Sequence, residues 1–145
     1  MSNAVTIFDL DNTLIKGDSS TLWSQFMVRE GWVSDPEYLA REALLMADYD
    51  RGEMNIADYV ALIQAPLIGI PQAQVDTLVA RFVREKVLPR VYPQAWDVIR
   101  TLQARGEKML VISASVTLLV QAIAAELGIE QALGIDRKST RLNSS

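Results

Sequence analysis

Ala4-Val5-Thr6-Ile7-Phe8-Asp9-Leu10-Asp11-Asn12-Thr13 is the stretch that decides how this chain is read. Val5 to Phe8 is short, β-branched and apolar on both faces, the pattern of a buried strand in a parallel sheet. It runs directly into two carboxylates two residues apart. A charge at the end of an apolar strand needs a cation or a set of hydrogen bonds. The D-x-D-x-T run therefore implies a site that holds a metal and a phosphate. Because the strand begins so near the first residue, it is expected at the centre of the fold. The plainer alternative, a loop of solvated carboxylates closed by an Asx-turn, fits the apolar run less well.

The chain has 145 residues, enough for one domain or a small core with an insertion. Half of it is apolar, and the net charge of -4 with no basic cluster ahead of the tail argues against nucleic acid as a partner. There is no cysteine and no histidine. Disulfides, thiolate chemistry, histidine bases and His-ligated zinc are thereby excluded, and carboxylates and lysines are left for catalysis. Met1 to Val5 shows no basic region ahead of a long apolar stretch, and no apolar run reaches the roughly 20 residues of a membrane span. The expectation is a cytoplasmic protein without a membrane partner.

From Ser19 to about Glu85 the signals are helical. Leu22, Trp23, Phe26 and Met27 form one face that ends at Gly31. Asp35-Pro36 reads as an N-cap followed by proline at the first helical position, with Leu39, Ala43, Met46 and Tyr49 as the stripe behind it. Asn55 caps a third helix carrying Ile56, Tyr59, Val60 and Ile63. Pro71 opens a fourth with Val75, Leu78, Val79, Phe82 and Val83 inward. The pattern then returns to α/β. Pro93 starts a helix with Trp96, Ile99 and Leu102 inward and Gly106 as its terminator. Met109 to Ile112 is a second buried strand ending at Ser113-Ala114-Ser115, and a helix follows to Gly128. Strand, serine and helix in that order present backbone N–H groups and a hydroxyl to an anion. Ser115 is read as a helix cap. The tyrosines Tyr38, Tyr49 and Tyr59 are read as packing.

Phe8-Asp9-Leu10-Asp11-Asn12-Thr13-Leu14, Lys16-Gly17-Asp18-Ser19 and Val111-Ile112-Ser113-Ala114-Ser115 together resemble the haloacid dehalogenase superfamily of phosphohydrolases, in particular its phosphoserine-phosphatase-like subfamily IB. The resemblance covers residues 1 to about 135. It implies an α/β fold: a partial Rossmann-like core, parallel sheet flanked by helices, at 1–16 and 89–135, with an all-helical cap inserted after the first strand at 17–88. It also implies that Asp9 is the nucleophile that becomes a phospho-aspartate, and that Asp11 is the general acid and base. One Asp9 oxygen and the Asp11 backbone carbonyl would bind Mg²⁺. Backbone N–H groups from Leu10 to Asn12, with Ser113 and Ala114, would hold the phosphoryl oxygens, and Thr13 would brace the loop. Asp18 either reaches a substrate amine or caps the first cap helix; the two readings stand level.

The implied partner is a small phosphorylated metabolite such as phosphoserine or an amino alcohol phosphate. Ala61, Leu62 and Ile63 are apolar where phosphoserine phosphatases usually carry an arginine for the substrate carboxylate, which weakens the first candidate. A phosphotransferase or mutase on the same fold is the alternative chemistry. The family's later lysine and acidic motif have no counterpart here. After Ser113 the acidic residues are Glu126, Glu130 and Asp136, none read as following a hydrophobic strand, and the one lysine is Lys138. The expectation is a fragment that stops within its active site and turns over little. Residues 136–145 have no apolar period and back-translate into a common sequencing adapter, so they are expected to be a non-native tail.

Overall fold

The computed structural model describes residues 4–136 and 142–144. The order of elements is β1 (Val5–Asp9), α1 (Ser19–Arg29), α2 (Tyr38–Asp50), α3 (Ile56–Gln64), α4 (Gln72–Phe82), α5 (Pro93–Ala104), β2 (Lys108–Val116), α6 (Thr117–Leu127), β3 (Gln131–Ile135) and β4 (Leu142–Ser144). One sheet has the strand order β1-β2-β3-β4. The first three strands are parallel, and β4 runs antiparallel to β3. This is the expected α/β class, with the five helices α1 to α5 between the first strand and the rest of the sheet. Among the described residues no single helix is long and apolar enough to cross a membrane.

Local chemistry explains most of these boundaries. Asp18 starts α1 by accepting from the Thr21 N–H, and Asn55 starts α3 by accepting from the Asp58 N–H, each satisfying a donor the first turn leaves open. Gly128 closes α6 at φ +78°, a left-handed position that costs glycine nothing. The inserted helices bury Trp23, Phe26 and Phe82 as one aromatic cluster, with Phe82 centred 5.0 Å from Trp23 and 5.4 Å from Phe26. Ile99, Val111, Leu119, Ile123 and Leu127 pack the layer around the sheet. The inserted helices and the layer around the sheet share one continuous core. The Lys16 N–H donates to the Arg90 carbonyl and the Tyr92 N–H to the Leu14 carbonyl, which brings the outgoing and returning chains together and sets α1 beside the end of β1.

Five expectations change. β1 is an edge strand of the described sheet, not its centre, and Val5 and Ile7, which share one of its faces, are 40% and 59% exposed. The second helix begins at Tyr38, not Pro36. Asp35 instead accepts from the Glu37 N–H in a turn before it. That helix is also rotated: Tyr38 and Glu42 are buried while Leu39, Ala43 and Tyr49 face outward. The rotation follows from two polar contacts that propensity does not see: Tyr38 Oη donates to the Leu62 carbonyl, and Thr21 Oγ1 donates to Glu42.

β2 continues through Val116, so the serines lie inside the strand, where its register with β3 is broken between Ile112 and Val116. Finally, Gln131–Ile135 is a strand, and Asp136 follows it directly. The small residues Ala132 and Gly134 hide its pattern. Of the tail, Leu142–Ser144 forms β4, whereas residues 137–141 and 145 lie outside the described residues.

Candidate active site

The site forms where β1 ends. Leu10 is fully buried and anchors the turn: its N–H donates to the Ile112 carbonyl, and its own carbonyl accepts from Thr13, Leu14 and Ile15. That turn projects Asp9 and Asp11 on either side of it. Asp9 is exposed, and among the described residues its carboxylate accepts only a long 3.4 Å contact from Thr13 Oγ1. Asn12 holds a left-handed backbone at φ +56°. Its N–H donates to the Gly17 carbonyl and its Oδ1 accepts from the Gly17 N–H, both at 3.0 Å. The side chain repays an unfavourable conformation by closing the loop over residues 12–17.

Asp11 is held far more tightly than Asp9. Its Oδ1 accepts from the Ser19 N–H at 2.7 Å and the Ser19 hydroxyl at 2.6 Å. Its Oδ2 accepts from the Ser113 hydroxyl at 2.6 Å. Hydrogen bonds to an ionised acceptor are the short, strong ones, and three of them fix this carboxylate. The arrangement brings together Asp9, Asp11 and Ser113 from segments a hundred residues apart. The expected cradle of backbone donors is narrower than the sequence implied. The Leu10 and Asn12 N–H groups are committed to Ile112 and Gly17, and Ser113 points at Asp11. Ala114, half-buried between the two serines, alternates to the other side of the strand.

Asp18 caps α1 through Thr21, and its carboxyl lies half-buried beside Asp11. Burial first, and then the Asp11 charge, holds it above its ordinary value. Tyr49, on the last turn of α2, is 46% exposed. Its phenol is pushed up by partial burial and then by the charges of Asp9, Asp11, Asp18 and Asp50. The end of α2 thus overlooks the carboxylates, although the sequence read Tyr49 as packing. Glu42 is a further acid that sequence reasoning missed. It is 3% exposed, and burial followed by the Asp18 charge raises its carboxyl against the opposing Thr21 hydrogen bond.

Ser115 is not the cap of α6. Val116 takes that position without a side-chain hydrogen bond, and the Ser115 hydroxyl faces Ser19 at 2.5 Å. The period-two spacing of Ser113 and Ser115 in a strand was the signal that could have placed both on one face. The available hard oxygen donors for a cation are the exposed Asp9 carboxylate and the Asp11 main-chain carbonyl. Among the described residues no group of three His, Cys, Asp or Glu side chains is placed to bind a metal ion. Oxygen ligands from one carboxylate, with a substrate phosphate and water, are what Mg²⁺ commonly takes, so the donor set fits that ion.

The chain as a whole is similar to known proteins. A family model described as haloacid dehalogenase-like hydrolase matches residues 6–143. A histidinol-phosphatase of Neisseria meningitidis serogroup C (strain 8013) is 28% identical over 130 residues, which is 90% of this chain and 59% of that protein. A protein of unknown function from Bordetella pertussis Tohama I has a solved structure with a TM-score of 0.77 and 27% identity, covering 92% of this chain and 60% of that one. A phospho-aspartyl intermediate analogue of phosphoserine phosphatase matches in fold, at a TM-score of 0.58 and 18% identity over 92% of this chain and 56% of that one. The chain spans about three fifths of the length of the first two relatives.

Proposed function

The chain belongs to the haloacid dehalogenase-like hydrolases, and from that membership we propose that it carries the nucleophile and the acid–base group of a phosphatase for small phosphomonoesters. The observation that carries the reading is the contrast between the two carboxylates of one turn. Asp9 is exposed and nearly free, whereas Asp11 is fixed by three short hydrogen bonds. A nucleophile needs an open oxygen, and a proton donor needs a fixed one.

In this reading an Asp9 oxygen attacks phosphorus, the bond to the leaving oxygen breaks, and Asp11 supplies that oxygen's proton. Water then attacks the phospho-aspartate, its proton passes to Asp11, and phosphate leaves with Asp9 restored. The Asp9 carboxylate and the Asp11 carbonyl would hold Mg²⁺, which when bound offsets the negative charge that gathers as a carboxylate meets a phosphate. The Asp11 N–H would donate to the phosphoryl group, and the Ser113 hydroxyl, whose proton is held by Asp11 here, would have to turn from it to do the same.

The substrate class follows from charge. Asp18 lies beside Asp11, and Asp50 and the buried Glu42 add carboxyl groups around Asp18. Ile63 is turned into packing at 1% exposure, and Leu62 offers only its main-chain carbonyl, which accepts from Tyr38. That environment favours an amine over a carboxylate, and so an amino alcohol phosphate such as histidinol phosphate over phosphoserine. The likeness to a histidinol-phosphatase points the same way. The test is hydroxylamine trapping of the protein after incubation with substrate and Mg²⁺. Trapping should label Asp9 and vanish in Asp9→Asn. Phosphate release by Asp9→Asn at the parent rate would refute the assignment, and transfer of the phosphoryl group to a second alcohol would identify a phosphotransferase.

A further inference from the structure

Behind Asp11 the structure places a buried group of hydroxyls drawn from three elements. Ser19 and Ser20 of α1, Tyr59 of α3 and Ser115 of β2 are each no more than 2% exposed. A hydroxyl has a single proton to donate, so the direction of each bond can be counted. The Ser19 proton goes to Asp11 Oδ1. Two oxygens 2.5 Å apart need a proton between them, so at the Ser19–Ser115 contact the donor is Ser115. The Tyr59 proton goes to Ser20 Oγ at 2.7 Å; its oxygen also neighbours the Ser115 hydroxyl, but the 2.5 Å Ser19 contact is the one that requires the Ser115 proton.

We propose that Ser115 is a positioning residue for Asp11, acting through the Ser19 hydroxyl. β2 then grips both oxygens of Asp11 from alternate residues on one face. Ser113 binds Oδ2 directly, and Ser115 holds Oδ1 by fixing the hydroxyl that donates to it. Separately, the Ser115 N–H donates to Ser113 Oγ at 3.0 Å. That bond is main-chain and survives any substitution at 115, so a side-chain change isolates the Ser115 hydroxyl. Loss of that hydroxyl strands a buried Ser19 oxygen without a donor. The Ser19 proton stays on Asp11, but the hydroxyl that carries it loses the contact that fixes it, and Oδ1 is held less rigidly.

The inference rests on Asp11 as the acid of the proposed phosphatase, and the experiment separates the two claims. Release of nitrophenolate needs no proton, whereas release of an alkoxide does; the water step that follows calls on Asp11 with either substrate, so the readout is the single-turnover rate of leaving-group release. Ser115→Ala and the size-matched Ser115→Cys, a weak donor, should lower that rate on an alkyl phosphate by about 10- to 100-fold. On p-nitrophenyl phosphate the same single-turnover rate should stay within about threefold of the parent. Ser115→Thr, which restores the hydroxyl, should recover most of the alkyl activity. Equal losses on both substrates, or a threonine variant as poor as alanine, would show a packing role and overturn the proposal. Asp11→Asn supplies the control. If it shows the alkyl-selective loss and Ser115→Ala does not, positioning by Ser115 falls alone. If Asp11→Asn shows no such selectivity, the acid assignment falls and takes this one with it.

Discussion

Gly134→Ala should unfold this protein more readily than its single methyl suggests. A Cβ at position 134 would stand 2.7 Å from Thr117 Cα, 2.8 Å from Thr117 N and 2.9 Å from the Ser115 carbonyl oxygen. Ordinary contact begins at 3.4 Å, so the methyl overlaps three atoms by roughly half an ångström or more, on the steep side of the repulsion. All three belong to backbone, at the point where β2 passes into α6, and none can swing aside as a side chain would. Overpacking of this kind costs about 1–3 kcal/mol. With three backbone contacts the expected value is near the top of that range. In a chain of this length that corresponds to a fall in Tm of roughly 5–10 °C.

Urea unfolding followed by tryptophan fluorescence measures the effect. Gly31→Ala is the control, because nothing lies within 4 Å of its Cβ while its φ is +81°. It carries only a backbone penalty of about 1 kcal/mol. A Gly134→Ala protein within about 0.5 kcal/mol of the parent, or one less damaged than Gly31→Ala, would refute the packing argument, since small effects of that size are ordinary for surface changes.

Three more outcomes follow from the same structure. Burial raises the Glu42 carboxyl above its ordinary 4.5, so its contribution to stability is present below that value and lost as pH rises through the folded one; Glu42→Gln should therefore be more stable than the parent at pH 7 and lose that advantage toward pH 4, read as urea midpoints at both. An unchanged difference across that range would count against a strained carboxylate. Asn12→Ala should cost about 1–2 kcal/mol in urea unfolding, because it loses the Gly17 hydrogen bond and keeps a left-handed φ. Asn12→Gly, which relieves φ, should cost about half as much, and equal costs would mean that the left-handed backbone is not strained. Phe82→Ala removes the ring shared by Trp23 and Phe26 and should cost about 3–5 kcal/mol by thermal melting, a loss of under 1 kcal/mol arguing that the aromatic cluster is not formed.

What could be read from the sequence and what could not divide along a physical line. Apolar periodicity placed Val75, Leu78, Val79 and Phe82 on the buried face of α4, because burial there is decided by hydrophobic area alone. It failed on α2, where Glu42 is buried and Leu39 is not, since a hydrogen bond from Thr21 outweighed the stripe. It also failed on β3, where Gly134 is required by a close backbone approach that no local pattern records. The site divides the same way. Asp9, Asp11 and Ser113 could be named as candidates from motif and spacing, because a motif records residue type and order. Ser19, Ser115 and Tyr59 could not, because their contacts exist only once α1, α3 and β2 meet. A serine after a strand reads as a helix cap until a hydroxyl 96 residues away meets it at 2.5 Å. The residues proposed to do chemistry are thus legible one by one, whereas those proposed to hold them still are legible only as a set, and Ser115 is where that difference can be measured.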